Sequence, residues 1–193
     1  MPETRPPIDF TGQRLDDLAA AIAARGTPPV DQWHPTHCGT SHMRIARDGT
    51  WYHEGNPIGR EAMVRLFASV LRREPDGSHV LVTPAEKLTI EVESTALRAL
   101  EMTSEGEGHA RRLAFRLDSG DAVIAGPGHP LTVIATPDGP SPRLAVRHGL
   151  EAELARPLYY ELAEIALVEG HSNPEDWPPG IWSDGAFFAL DAA

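Results

Sequence analysis

The chain has a single cysteine, Cys38, and that scarcity removes two scaffolds at once. One thiol forms no intrachain disulfide and supplies no cysteine-based zinc knuckle. Positive charge is also short: 17 Lys and Arg stand against 28 Asp and Glu, a formal net charge of -11 over 193 residues. Such a surface repels phosphate backbones and anionic lipid heads, so neither nucleic acid nor a membrane is an expected partner. No apolar run approaches the length of a membrane span, and no signal-peptide core follows Met1-Pro2-Glu3-Thr4-Arg5-Pro6-Pro7. The nearest candidate, Leu18 to Ala24, follows Asp16-Asp17 and suits an amphipathic helix better, so a cytoplasmic location is expected. Catalytic signatures are missing too. There is no Gly-x-Ser-x-Gly elbow, phosphate loop or dinucleotide fingerprint. Gly126-Pro127-Gly128-His129-Pro130 has proline where a phosphate nest needs N–H groups, and reads as a turn.

What the chain does have is proline (18), glycine (17) and an ordinary 41% of hydrophobic residues. That balance predicts a sizeable core built from many short elements joined by tight turns. A helix is expected from about Arg14 to Arg25, with Leu15, Leu18 and Ile22 on one face and Gly26 as its stop. Met43–Arg47 and Thr50–Glu54 flank Asp48-Gly49 and read as a hairpin. A helix from Asn56 (N-cap) and Pro57 (first position) to about Arg73 is expected next, burying Met63, Leu66, Phe67, Val70 and Leu71. Asp76-Gly77 turns the chain into strands Ser78–Thr83 and Leu88–Glu93. Five further strands follow: Leu97–Met102, Arg111–Leu117, Asp121–Ala125, Leu131–Thr136 and Arg143–Arg147. A last helix from Pro157 to near Gly170 buries Leu158, Leu162, Ile165 and Ala166, and a hairpin turns at Asp184-Gly185.

The order strand, turn, strand, proline-started helix, Asp-Gly, strand occurs from Arg44 to Thr83 and again from Arg143 to Leu190. The expected fold is therefore α+β, mostly antiparallel, with two small domains that share a hairpin–helix–strand motif. The domain division expected is a helical arm at 1–27, a first domain at 28–95 and a strand-rich second domain at 96–193.

The stretches Cys38-Gly39, Met43 to Tyr52, Gly55 to Arg60, Leu66-Phe67 and Leu81 to Lys87 together resemble one proteobacterial family, domain of unknown function 1285. The likeness is strong over roughly Pro28 to Glu93 and lies mostly in layout beyond. It implies a two-domain α+β fold with repeated motifs and a link to signal transduction, without an assigned activity. Thr40-Ser41-His42 departs from the family pattern, so no role for that loop is carried over.

His34, His37, Cys38 and His42 are ligand types for a zinc-like metal. Their spacing fits no zinc pattern, and Cys38 adjoins His37, so no metal or other cofactor is expected. Cys38 is the sole candidate nucleophile, and the competing reading makes it a small buried thiol. The preferred binding set is Arg44, Trp51, Tyr52, Arg60, Thr83, Glu86 and Lys87. Arginine offers a planar fork for an anion, and Trp51 and Tyr52 offer flat walls, although alternation puts them on opposite faces. In the competing reading Trp51 fills the core and Glu86 and Lys87 make surface pairs. The expected function is non-catalytic: ligand binding or regulation, with an anionic small molecule or a protein as partner. The rival is a hydrolase-like or transferase-like enzyme using Cys38 or a His-rich metal centre.

Overall fold

The computed structural model describes residues 6–9, 14–170 and 179–191. The opening Met1 to Arg5 of the expected arm lies outside the described residues. Twelve of the strands form two six-stranded sheets. The first holds β1 (His37–Ile45), β2 (Trp51–His53), β3 (Asn56–Pro57), β4 (Leu71–Arg73), β5 (His79–Val82) and β6 (Glu86–Val92), in the order β3-β2-β1-β6-β5-β4. The second holds β7 (Leu97–Glu105), β8 (Arg112–Leu117), β9 (Ala122–Ile124), β10 (Leu131–Thr136), β11 (Gly139–Ala145) and β12 (Glu151–Leu154), ordered β10-β11-β12-β7-β8-β9.

These orders are one topology used twice. In each sheet the first and last strands lie side by side and parallel, β1 with β6 and β7 with β12, while every other pairing is antiparallel. The α+β, two-domain, repeated architecture is as the sequence implies. Its frame differs: β1 answers to β7, not Arg44 to Arg143. Helix α2 (Glu61–Ser69) crosses between the third and fourth strands of the first sheet. Helix α3 (Arg156–Gly170) follows the sixth strand of the second, so the two helices are not equivalents.

Several boundaries move for identifiable reasons. Asn56-Pro57 does not start a helix. Glu54 (φ 49°) and Gly55 (φ 82°) form a two-residue turn with both φ positive, which returns Asn56 and Pro57 along β2 as a short edge strand. Helix α2 begins only after Arg60 and stops at Ser69. The apolar pair Val70-Leu71 suits helix or strand by pattern alone, and pairing of Leu71–Arg73 with β5 decides for strand. Met63 is consequently 40% exposed instead of buried, and Val64, Phe67 and Ala68 face the core. At Asp48-Gly49 only the glycine has positive φ (88°), so the loop has three residues, with Gly49 N–H on the Ala46 carbonyl at 2.9 Å. Asp76-Gly77 closes an identical loop.

One hydrophobic cluster runs through both domains, from Ile45, Trp51 and Leu71 to Leu113, Phe115, Leu144 and Leu162. Helix α3 buries Leu158, Leu162 and Ala166 in it, as its periodicity predicts. Helix α1 (Leu15–Arg25) packs on β8 and β9 through Leu15 and Leu18. Its exposed N-terminal N–H at Leu15 is satisfied by Glu105 of β7 at 2.9 Å. The closing hairpin, β13 (Gly180–Ser183) and β14 (Ala186–Ala189), uses a turn with positive φ at both Asp184 and Gly185. No helix among the described residues is long and apolar enough to cross a membrane.

Candidate functional site

The expected binding residues divide between opposite ends of the first sheet. His37 pairs with Glu86 and Cys38 with Lys87 at one end of the β1–β6 ladder, whereas Arg44 pairs with Glu91 at the other. Trp51 is buried and stacks on Phe67 with ring centroids 6.3 Å apart. Tyr52 points to the other face, where its ring lies 4.4 Å beneath the Arg44 guanidinium. Alternation along β2 therefore separates the two aromatics as predicted.

Arg44 is not a free anion receptor. Its guanidinium pairs with Glu93, and the hollow beside it is also lined by Glu54 and Glu91. Arg60 is exposed at the N-terminus of α2 and is not among the residues lining that hollow. The shared anion site of Arg44 and Arg60 is thus not assembled. Thr83 has a turn role: its Oγ1 accepts the N–H groups of Ala85 (3.3 Å) and Glu86 (3.1 Å). Lys87 lines a separate cleft of about 410 Å³ with His34, Arg72 and Glu74. There Glu74 accepts Arg72 at 2.6 Å and meets Lys87 at 3.9 Å, while Arg73, on the same lining, donates its Nε to the Gly77 carbonyl at 3.5 Å.

The metal candidates His37, Cys38 and His42 are spread along β1, and His34 precedes it. Among the described residues no group of three or more His, Cys, Asp and Glu converges. His42 has φ 54° and sits in an irregularity of the β1–β6 register between Thr40 and Arg44, where Ser41 Oγ donates to the Thr89 carbonyl at 2.7 Å. Cys38 is exposed on β1, which corrects the reading of a buried core thiol.

The larger opening lies between the domains, with a volume of about 910 Å³. The duplication creates it. Strand β6 ends at Val92 and β12 at Leu154, and the residues following both strand ends, Glu93-Ser94 and Arg156, line one cleft. Prolines keep it open. Strand β12 pairs with β11 only over Arg143–Ala145, and beyond that point β11 presents Pro140 and Pro142, which have no N–H to continue a ladder.

The cleft's charge is unlike that of the whole molecule. Arg47, Arg98, Arg143 and Arg156 face it against Glu93, Asp138 and Glu153. Arg47 pairs across the domains with Asp138 at 2.8 Å, and Arg143 with Glu151 at 3.4 Å. Glu153 is held by the hydroxyls of Ser94 (3.1 Å) and Ser141 (3.0 Å), one from each domain. Glu93 is held below the usual carboxylate range by the backbone N–H of Arg47 and by Arg44, so it stays ionised. Arg156 is different: it is exposed, and its guanidinium has no hydrogen-bond or ion-pair partner among the described residues. Tyr159 and the 59% exposed Tyr160 continue the wall, which places the positive end of the α3 dipole at the cleft. Sequence reasoning missed this set because its members are far apart along the chain and no local motif joins them. The only local signals are the proline-rich run from Pro137 to Pro142 ahead of Arg143, and Arg156-Pro157 at a helix start.

Two family models match: the domain of unknown function DUF1285, N-terminal domain, over residues 28–95, and the protein of unknown function DUF1285, C-terminal domain, over residues 96–190. The chain belongs to the DUF1285 family. Among solved structures it is similar to a DUF1285 family protein from Silicibacter pomeroyi DSS-3, with 39% identity and a TM-score of 0.79, covering 95% of this chain and 97% of that one. A DUF1285 family protein from Shewanella baltica OS155 matches at 24% identity and a TM-score of 0.48, covering 63% of this chain and 90% of that one. No curated protein matches.

Proposed function

We propose that this protein is a non-catalytic, cytosolic binding module that takes an anionic small molecule into the cleft between its domains. The observation that carries this reading is Arg156, an arginine without a carboxylate partner among the described residues, in a locally cationic cleft of a chain whose net charge is -11. Arginine's planar fork suits a carboxylate, sulfate or phosphate oxygen pair, and the start of α3 adds its dipole. The exposed Tyr160 ring supplies an apolar wall beside the charge. Because both domains contribute to the lining, a bound anion bridges them, which supports a regulatory role in line with the signal-transduction link that the family resemblance implies.

The test is a thermal-shift and calorimetric survey with sulfate, dicarboxylates and phosphate monoesters. At least one class should stabilise the wild type, and Arg156→Ala should lose at least tenfold in affinity, about 1.4 kcal/mol. Equal stabilisation of wild type and Arg156→Ala by every anion would remove the proposal.

A further inference from the structure

Arg98 faces two ways. It lines the cleft, its Nη1 donates to the Asp48 carbonyl of the first domain at 2.6 Å, and its Nε is buried without a hydrogen-bond partner. Behind it lies Asp118, on the loop between β8 and β9. Asp118 Oδ1 accepts the Arg98 backbone N–H at 3.1 Å, and the Asp118 N–H donates to the Arg98 carbonyl at 2.9 Å. The Asp48-Gly49 loop of the first domain closes over both residues. Gly49 has φ 88°, and a Cβ there would stand 2.9 Å from Arg98 Cδ and 3.4 Å from Asp118 Oδ2. One contact between the domains is therefore seated on this pair.

The charged groups around Asp118 are few. Arg98 comes from β7 and favours its ionised form. Asp48 comes from the covering loop, and hydrogen bonds from Thr50 hold its carboxyl below the ordinary range, so it stays charged. Asp121, further along the same loop, is bound to Arg25 (3.3 Å) and Arg147 (3.0 Å). Loss of water around the Asp118 carboxyl pushes it up to about 6, against the pull of Arg98. No histidine is among the residues lining the cleft.

We propose that the cleft takes up its anion together with a proton, which goes to Asp118, because Arg98 serves both groups. This coupling rests on the anion reading above. Arg98 makes no direct ion pair with Asp118, but its positive charge favours the ionised carboxyl from nearby and also faces the cleft. An anion in the cleft competes for it and raises the proton affinity of Asp118. By linkage, the proton raises the affinity for the anion by the same factor.

Sulfate is a suitable probe because it remains a dianion across the range. Calorimetric titrations of the full chain at about pH 5.5 and about pH 7.5, on either side of the Asp118 midpoint, use constant ionic strength and buffers of two ionisation enthalpies. Sulfate should bind about fivefold more tightly at the lower pH, with net proton uptake. Asp118→Asn should still bind, with neither the pH dependence nor the uptake. Sulfate binding that is independent of pH, or a dependence that survives in Asp118→Asn, overturns the coupling and leaves the cleft reading intact. No sulfate binding by the wild type at either pH overturns the coupling, and no binding of any of the three anion classes overturns the cleft reading as well. A measurement on the wild type alone covers a variant that fails to fold: the ¹³C carboxyl resonance of Asp118 should titrate at about 6 and shift upward with sulfate. An unmoved midpoint refutes the coupling.

Discussion

Asp118 also makes a prediction about stability that needs no ligand. Its carboxyl is raised from 3.8 to about 6 in the folded protein, mainly because burial disfavours the charged form. A group whose folded value is raised binds more protons folded than unfolded between those two values. Its contribution to stability is therefore fully present below about pH 4 and is lost as pH rises through about 6. A shift of this size corresponds to about 2–3 kcal/mol. Other carboxyls act in the opposite sense: Glu101, held down by Arg116, and Glu169, held down by Arg111, lose their contribution as pH falls. The informative quantity is thus the difference between wild type and Asp118→Asn, in which those groups cancel. Urea unfolding of both proteins at intervals between about pH 4 and about pH 7.5 should show the wild type losing about 2–3 kcal/mol relative to the variant across the range. A constant difference would show that the Asp118 carboxyl is not raised, and would remove the proton site proposed above.

Other expectations follow from packing and exposure. Leu162 is fully buried in the shared core, so Leu162→Ala should cost about 2–5 kcal/mol in chemical unfolding; a loss under 1 kcal/mol would contradict its place there. Gly49→Ala adds a Cβ 2.9 Å from Arg98 Cδ at a positive φ and should destabilise by about 1–3 kcal/mol, whereas Gly55→Ala, with nothing within 4 Å, should cost only the backbone strain of its own positive φ. Equal losses at the two positions would mean that the domain contact at Gly49 is not tight. Cys38 is exposed, so a thiol reagent should modify one group per chain without denaturant, and full protection until unfolding would place it elsewhere.

The sequence was readable where local chemistry dictates the outcome. Asp184-Gly185 predicts a turn because both residues tolerate positive φ, and both adopt it. Leu158, Leu162 and Ala166 predict the buried face of α3 by spacing alone. It misled where tertiary pairing chooses between equal local options. Val70-Leu71 fits a helix end as well as a strand, and Asn56-Pro57 is a good helix start until Glu54-Gly55 folds it back. The duplication was legible as a rhythm of elements but not in its frame. The parallel pairs β1–β6 and β7–β12 join strands about fifty residues apart, and no local pattern encodes them. The same distance hid the cleft. Arg98, Arg143 and Arg156 belong to one wall only after both sheets have closed, while Arg44 and Arg60, separated only by β2 and β3, are drawn to separate surroundings.

The central claim is that Arg156 and the cleft beside it receive an anion. Crystals soaked in selenate, a sulfate analogue that scatters anomalously, test it directly. The account predicts an anomalous peak within hydrogen-bond distance of the Arg156 guanidinium, between the ends of β6 and β12. An empty cleft, with Arg156 instead seated on a carboxylate of its own chain, would contradict it.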